Sequence, residues 1–225
     1  LTQQLAFDLP FQAVYRREDF FASPANAHAL AAIEGWRGWP GGKLLLIGPP
    51  GAGKTHLAHM WREAAGAVMV SGADLAEADL PSLAAAGAVV VEDADSVAGE
   101  HAAEVALFHL HNMVVPQGSL LLTARGPARD WGLRLPDLKS RVEAASVARL
   151  EPPDDDLLSA VLVKLFADRQ TTVAPSLVPW LVARMERSIA AARALVSAMD
   201  KRALAQGKPI TKATAQGLLD SDDAE

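Results

Sequence analysis

Short apolar runs alternate with Ala- and Leu-rich stretches of helical composition along the first 150 residues. Lys43–Ile47 is an apolar run that ends on Gly and Pro, the pattern of a buried strand. Residues 67–70, 88–91, 119–123 and 146–150 repeat that pattern. Between them, residues 25–36, 56–65, 73–86 and 98–114 read as helices, with Pro81 expected to kink or break the third. Strands that alternate with helices argue for an α/β fold, a parallel sheet with helices on both faces. After Glu151-Pro-Pro the pattern changes and no strand-like run follows. Residues 157–168, 176–185, 188–205 and 212–219 all read as helices. Asp154, Asp155 and Asp156 suit the first turn of the first of these, where carboxylates oppose the positive end of the helix dipole. Gly207 stands where a C′ glycine closes the third, and Thr211 can cap the fourth. The expected organisation is a leader over residues 1–12, an α/β domain over 13–151 and a small all-helical domain over 152–225.

Composition narrows the chemistry. Of the 225 residues half are hydrophobic and about a fifth are charged, so the chain can bury a sizeable core. There are no cysteines, which excludes disulfides, Cys-based zinc or iron–sulfur sites and thiol catalysis. The net charge of −6 speaks against direct, sequence-specific DNA binding, because the phosphate backbone must be neutralised by Lys and Arg. No apolar run approaches the roughly 20 residues that cross a membrane. The N-terminus has no charged segment followed by an apolar core, although the first residue is not Met. The expectation is a soluble, cytoplasmic protein. His56 and His59, like His109 and His111, lack the carboxylate context of a metal site. The tryptophans at 36, 39, 61, 131 and 180 are dispersed and suit helix packing.

One motif dominates. Gly48-Pro49-Pro50-Gly51-Ala52-Gly53-Lys54-Thr55 fits G-x-x-x-x-G-K-[ST], following a predicted strand and opening a predicted helix. Its glycines let the backbone approach phosphate, and its N–H groups make an anion nest at a helix N-terminus. Lys54 supplies positive charge to the outer phosphates, and Thr55 offers a hydroxyl to Mg²⁺. Pro50–Thr55, with His56 following, is therefore the candidate site for ADP or ATP. The apolar run 89–91 ends in Glu92 and Asp93, a pair able to serve the Mg²⁺ shell and an attacking water. The usual order in such ATPases is Asp then Glu. Here Glu92 is expected to face the metal and Asp93 the water, each reach changed by a methylene. Slow intrinsic hydrolysis follows, because near-attack geometry is sensitive to shifts of about 1 Å.

With these features the chain resembles the AAA+ ATPases, and within them the DnaA family, most closely its Hda-type regulators. Gly53-Lys-Thr-His-Leu57 is similar to the family's Gly-Lys-Thr-His-Leu. Leu120-Leu-Leu-Thr-Ala-Arg125 resembles the fourth strand, which puts Thr123 in the sensor-1 place. Leu135-Pro-Asp-Leu-Lys-Ser-Arg141 resembles the segment called box VII, which puts Arg141 in the place of an arginine finger acting in trans. The leader Gln4-Leu5-Ala6-Phe7-Asp8-Leu9 resembles the motif by which such regulators bind the sliding clamp. In an extended peptide Leu5, Phe7 and Leu9 share one side. The family's sensor-2 arginine is replaced by Ala190, with Arg187 nearly one turn earlier and Arg193 nearly one turn later. Arg187 is the arginine expected to substitute from a shifted backbone. The sequence ends at Glu225, where DnaA would continue into a DNA-reading domain, and its tail is acidic.

The resemblance implies a three-layer AAA+ module with a helical lid. It also implies a nucleotide-dependent regulator with DnaA and the clamp's β subunit as partners, and assembly with further copies of itself. Such a protein stimulates the ATPase of DnaA and has at most a weak ATPase of its own. A self-acting ATPase related to helicase loaders, and a DnaA-like nucleic-acid binder, are the alternatives.

Overall fold

The computed structural model describes residues 15–222. Strands β1 (Lys43–Ile47), β2 (Val68–Ser71), β3 (Ala88–Glu92), β4 (Ser119–Ala124) and β5 (Ser146–Arg149) form one sheet in the order β2-β3-β4-β1-β5. Every pairing is parallel, with Leu45 of β1 set between Leu122 of β4 and Val147 of β5. The strands are continuous apolar runs because both faces are covered. Val89 and Val91 point into one core with Leu107, Leu110 and Leu138. Val90 points into the other with Ile33, Leu57 and Trp61. The first core is built with α4 (His101–Val114) and α5 (Pro136–Glu143), the second with α1 (Ala27–Glu34) and α2 (Lys54–Ala65). In the second, Trp61 stacks on Trp39 with ring centroids 5.1 Å apart. Here the tryptophans pack helices, as their dispersal suggested.

Two local readings differ from the sequence expectation. Residues 73–86, read as a helix that Pro81 kinks or breaks, are broken just before Pro81, and the first piece is a 3₁₀ segment, Gly72–Glu77, followed by α3 (Leu80–Ala85). Pro81 lies in the first turn of α3, where its missing N–H has no intrahelical partner to lose. Asp79 caps that turn, accepting from the Ser82 N–H at 3.2 Å. The short helix α5 was not anticipated: its eight residues start on Pro136 and bury only Leu138 and Val142.

The C-terminal part is helical: α6 (Asp155–Asp168), α7 (Leu177–Val182), α8 (Ile189–Gln206) and α9 (Lys212–Asp222). Leu158, Leu162, Leu181, Val196 and Met199 form a third core of their own. Asp154 caps α6, accepting from the Leu157 N–H at 2.7 Å, and Gly207 closes α8 at φ 60°. Thr211 accepts from the Thr214 N–H at 3.3 Å, the cap expected for α9. These helices meet the sheet domain across the phosphate loop, where the Ile189 N–H donates to the Gly51 carbonyl at 2.9 Å. Lys164 of α6 also pairs with Asp19 at 2.9 Å. Among the described residues no helix is long and apolar enough to cross a membrane.

Candidate nucleotide site

The loop between β1 and α2 carries the phosphate motif at the carboxyl edge of the sheet, where parallel α/β folds bind ligands. Gly51 and Gly53 take φ of +71° and +107°, so both occupy backbone that side-chain-bearing residues avoid. Gly53 caps α2, so the helix starts at Lys54, two residues before the start read from composition. Lys54 is 8 % exposed, and its ammonium donates to the carbonyls of Gly48 at 2.7 Å and Pro49 at 3.0 Å. Burial lowers its pKa, and the nearby carboxylates of Asp93 and Asp95 oppose that shift. The amino end of the twelve-residue α2, with its free N–H groups, adds a positive dipole to the same place.

Facing the loop are the ends of β3 and β4. Asp93 follows β3 with φ 47°, a left-handed bend rare for a non-glycine residue. The bend is held by its N–H, which donates to the Thr123 hydroxyl at 3.0 Å; Thr123 is 1 % exposed. Asp93 lines the cleft together with Lys54 and Thr55. Glu92 does not line it: it remains half-buried at the end of β3, its charge acting on His59. The assignment of Glu92 to the metal-facing place is therefore not what the geometry presents; the backbone turn brings Asp93 inward instead. Arg125 completes this wall, and its N–H donates to the Asp95 carboxylate at 3.2 Å. Sequence reasoning missed both, although each lies just beyond a strand end on the ligand-binding edge.

The donor set suits Mg²⁺, which takes hard oxygen ligands and is commonly bound through one or two protein groups plus nucleotide phosphates. Thr55 and Asp93 are such oxygens on the cleft wall. Among the described residues no three His, Asp or Glu side chains cluster to hold an ion by themselves.

The cleft has a volume of about 690 Å³, and apolar side chains line part of it. Phe20, Phe21, Leu157, Val161 and Ile189 contribute to it. His56, which also lines the cleft, is nearly buried, and its Nε2–H donates to the Arg16 carbonyl at 2.8 Å. Burial pushes its pKa down, so the ring is neutral near pH 7. The ring meets those of Tyr15 and Phe20 edge-on. His56 thus pins the segment before α1 against the loop helix. Tyr15, Asp19, Phe20 and Phe21 were not singled out from sequence, because nothing in an irregular segment tells which end of the fold it returns to. A cleft that joins apolar and aromatic side chains to the phosphate-loop lysine and two arginines, Arg125 and Arg193, has the mixed lining that a nucleobase joined to a polyphosphate needs.

The helical domain supplies the remaining wall. Ala190 and Arg193, three apart on α8, both line the cleft. Arg187 does not: it precedes α8, and its guanidinium donates to the Asp155 carboxylate at 2.6 Å and to the Pro153 carbonyl at 3.3 Å. The arginine that the structure places at the cleft is Arg193, with its Cζ 6.0 Å from the Tyr15 ring centroid. The choice of Arg187 fails because α8 starts after it, so 190 and 193 share the inner face while 187 turns outward. Close contact with Ser188 also makes Gly51 irreplaceable: a Cβ there meets the Ser188 hydroxyl in a φ that disfavours side chains. We expect Gly51→Ala to lower stability by about 1–3 kcal/mol and to weaken nucleotide binding at least tenfold, read by thermal melting and titration calorimetry.

Arg141 is elsewhere. It is exposed on α5, and its backbone carbonyl accepts from the Lys43 ammonium at 2.7 Å. Lys43 opens β1, whereas the phosphate loop leaves the opposite end of that strand. At about 3.3 Å per residue the two ends stand roughly 15 Å apart. The candidate finger and the chain's own phosphate loop are therefore on opposite edges of the sheet. Gln4, Leu5, Phe7 and Leu9 lie outside the described residues.

No family model matches the chain. Solved structures do. Domain III of the Thermotoga maritima replication initiation protein DnaA superposes with a TM-score of 0.78 at 19 % identity, over 92 % of this chain and 96 % of that one. A replication initiator DnaA bound to AMPPCP and single-stranded DNA gives 0.71 at 15 % identity, over 83 % of this chain and 64 % of that one. AMPPCP-bound DnaA from Aquifex aeolicus gives 0.69 at 14 %, over 82 % of this chain and 64 % of that one. The chain thus spans nearly all of the isolated domain but under two thirds of the longer initiators. Its parallel sheet with a helical C-terminal part has the α/β fold of that DnaA domain III.

Proposed function

We propose that this protein is a nucleotide-dependent regulator of bacterial replication initiation, of the Hda type. It binds ADP or ATP with Mg²⁺ in the cleft, attaches to the sliding clamp through Gln4, Leu5, Phe7 and Leu9, and presents Arg141 to the ATP held by DnaA. A guanidinium brought to the γ-phosphate stabilises charge that develops as the phosphoryl group leaves, and DnaA hydrolyses its ATP. The observation that carries this reading is the position of Arg141: exposed, and a strand length from the chain's own phosphate loop. From there it serves a nucleotide only on another molecule. The test is ATP hydrolysis by DnaA with this protein, with and without clamp loaded on DNA. Stimulation that needs the clamp, is lost in Gln4→Ala and falls at least a hundredfold in Arg141→Ala supports the reading. Undiminished stimulation by Arg141→Ala overturns it.

A second reading has its own observation. Lys54, Thr55, Asp93 and Arg193 all line one cleft, the parts a self-acting ATPase requires. That reading expects appreciable ATP turnover by the protein alone, abolished by Asp93→Ala. The regulator reading expects that turnover to be weak.

A further inference from the structure

On the far edge of the sheet from the cleft, four side chains form a cluster that nucleotide binding does not use. Phe108 and His111 lie three apart on α4, on the face turned to α5. The Arg141 guanidinium lies over the Phe108 ring, with Cζ 5.1 Å from the centroid. The Lys43 ammonium stands 3.1 Å from His111 Nε2 and 2.7 Å from the Arg141 carbonyl. An ammonium can only donate, so His111 accepts at Nε2 and carries its proton on Nδ1. The side chain is 5 % exposed. His111 is pushed down to about 4, first by burial and then by Lys43, so it is neutral at physiological pH and free to accept. Lys43 in turn is lowered by burial and then by Arg141.

This arrangement does nothing for stability that an apolar cluster would not do better. Two cations stand close enough that Arg141 lowers the pKa of Lys43, a repulsion that works against the fold. On α5 Glu143 pairs with Lys139 at 4.0 Å. The cluster does, however, fix Arg141 at both ends. Lys43 holds its backbone, and the face of Phe108 holds its guanidinium through cation–π attraction. The like charge of Lys43 disfavours rotamers that fold the guanidinium back along the strand end, and Arg141 stays exposed. His111 holds Lys43 in turn.

Resting on the reading of Arg141 as a residue that acts in trans, we propose that Lys43, Phe108 and His111 are positioning residues that pre-organise the Arg141 guanidinium for an anionic group on a neighbouring molecule. Pre-organisation of the charge that meets a developing transition state is the larger part of such catalysis.

The test reads Arg141 directly. In the full-length protein labelled with ¹⁵N-arginine, relaxation of the Arg141 Nε–H reports its order without any partner. We expect a restricted side chain in the wild type and a mobile one in Lys43→Met and in Phe108→Leu, with Lys43→Arg restoring the restriction. Lys43 is half-exposed, so Lys43→Met tests the device without opening the core. In the DnaA assay the same variant should lower maximal stimulation about tenfold while leaving the half-saturating concentration unchanged, the mark of a misplaced finger and not of lost docking. Unchanged order of Arg141 in both Lys43→Met and Phe108→Leu overturns the inference. Because relaxation is read without DnaA, it decides the inference even where the wild type fails to stimulate DnaA, a failure that counts against the reading in trans.

Discussion

Lys54→Met is expected to remove nucleotide-dependent stabilisation while leaving the fold intact. In the wild type, ligand at a hundred times its Kd adds about 2.7 kcal/mol, and a chain of this size melts some 5–10 °C higher as a result. The Lys54 ammonium is one of the cations on the cleft wall, with Arg125 and Arg193, and it is the one fixed inside the phosphate loop. Hydrogen bonds to a charged partner contribute about 1.5–3 kcal/mol each, so losing this group weakens binding by about a hundredfold. At the same ligand concentration the gain in the variant falls to about 0.4 kcal/mol, roughly a degree. The ligand-free melting point should change little. The variant loses two bonds to the carbonyls of Gly48 and Pro49 but no longer buries a charge, and these effects oppose each other. Thermal melting with and without Mg-ADP or Mg-ATP separates the outcomes. An undiminished shift in Lys54→Met would mean that the cleft is not the nucleotide site.

Much of this candidate site was legible in the sequence because the phosphate-loop pattern is local. Glycines that need positive φ, a lysine and a hydroxyl at fixed spacing, and a helix start all fall within eight consecutive residues, Gly48–Thr55. The strands were legible for a related reason: with both faces buried they read as unbroken apolar runs, and a helix of that length would be too short to stand alone. What failed were the features set by orientation. Glu92 and Asp93 are neighbours, and only the left-handed bend pinned to the Thr123 hydroxyl determines which one enters the cleft. The choice between Arg187 and Arg193 turned on where α8 begins, and helix boundaries are the least determined part of a sequence reading. The wall formed by Tyr15, Phe20 and Phe21 depends on the His56–Arg16 bond, a contact between residues far apart in the chain. Helix α5 was hidden because half of its turns are polar and it relies on a single buried acid for its start.

That acid is Glu104, and replacing it is expected to have the largest effect on stability of any single polar substitution discussed. Its carboxylate is 1 % exposed and accepts from the backbone N–H groups of Gly99 at 3.0 Å, Arg134 at 2.9 Å and Leu135 at 2.7 Å. Leu135 is the cap of α5, so one side chain on α4 anchors both the turn before its own helix and the start of the helix that carries Arg141. Glu104→Ala leaves three part-buried backbone N–H groups without their charged acceptor, and we expect a loss of about 3–5 kcal/mol, or about 10 °C in Tm. Glu104→Gln keeps an acceptor but turns an NH₂ toward N–H groups, for a loss of about 2–3 kcal/mol. The pH dependence identifies the ionised form as the stabilising one. Burial favours the neutral acid, but the backbone N–H groups outweigh it and hold the pKa below the ordinary 4.5. A depressed folded-state pKa gives stability that is complete above the unfolded value and is lost as pH falls through the folded one. The difference in unfolding free energy between wild type and Glu104→Gln should therefore be constant from pH 7 down to about 5 and shrink below 4.5, as the wild type alone takes up the proton. Urea unfolding at pH 7, 5 and 3.5 measures this. A difference that persisted undiminished at pH 3.5 would show that the carboxylate charge is not what holds α5 in place.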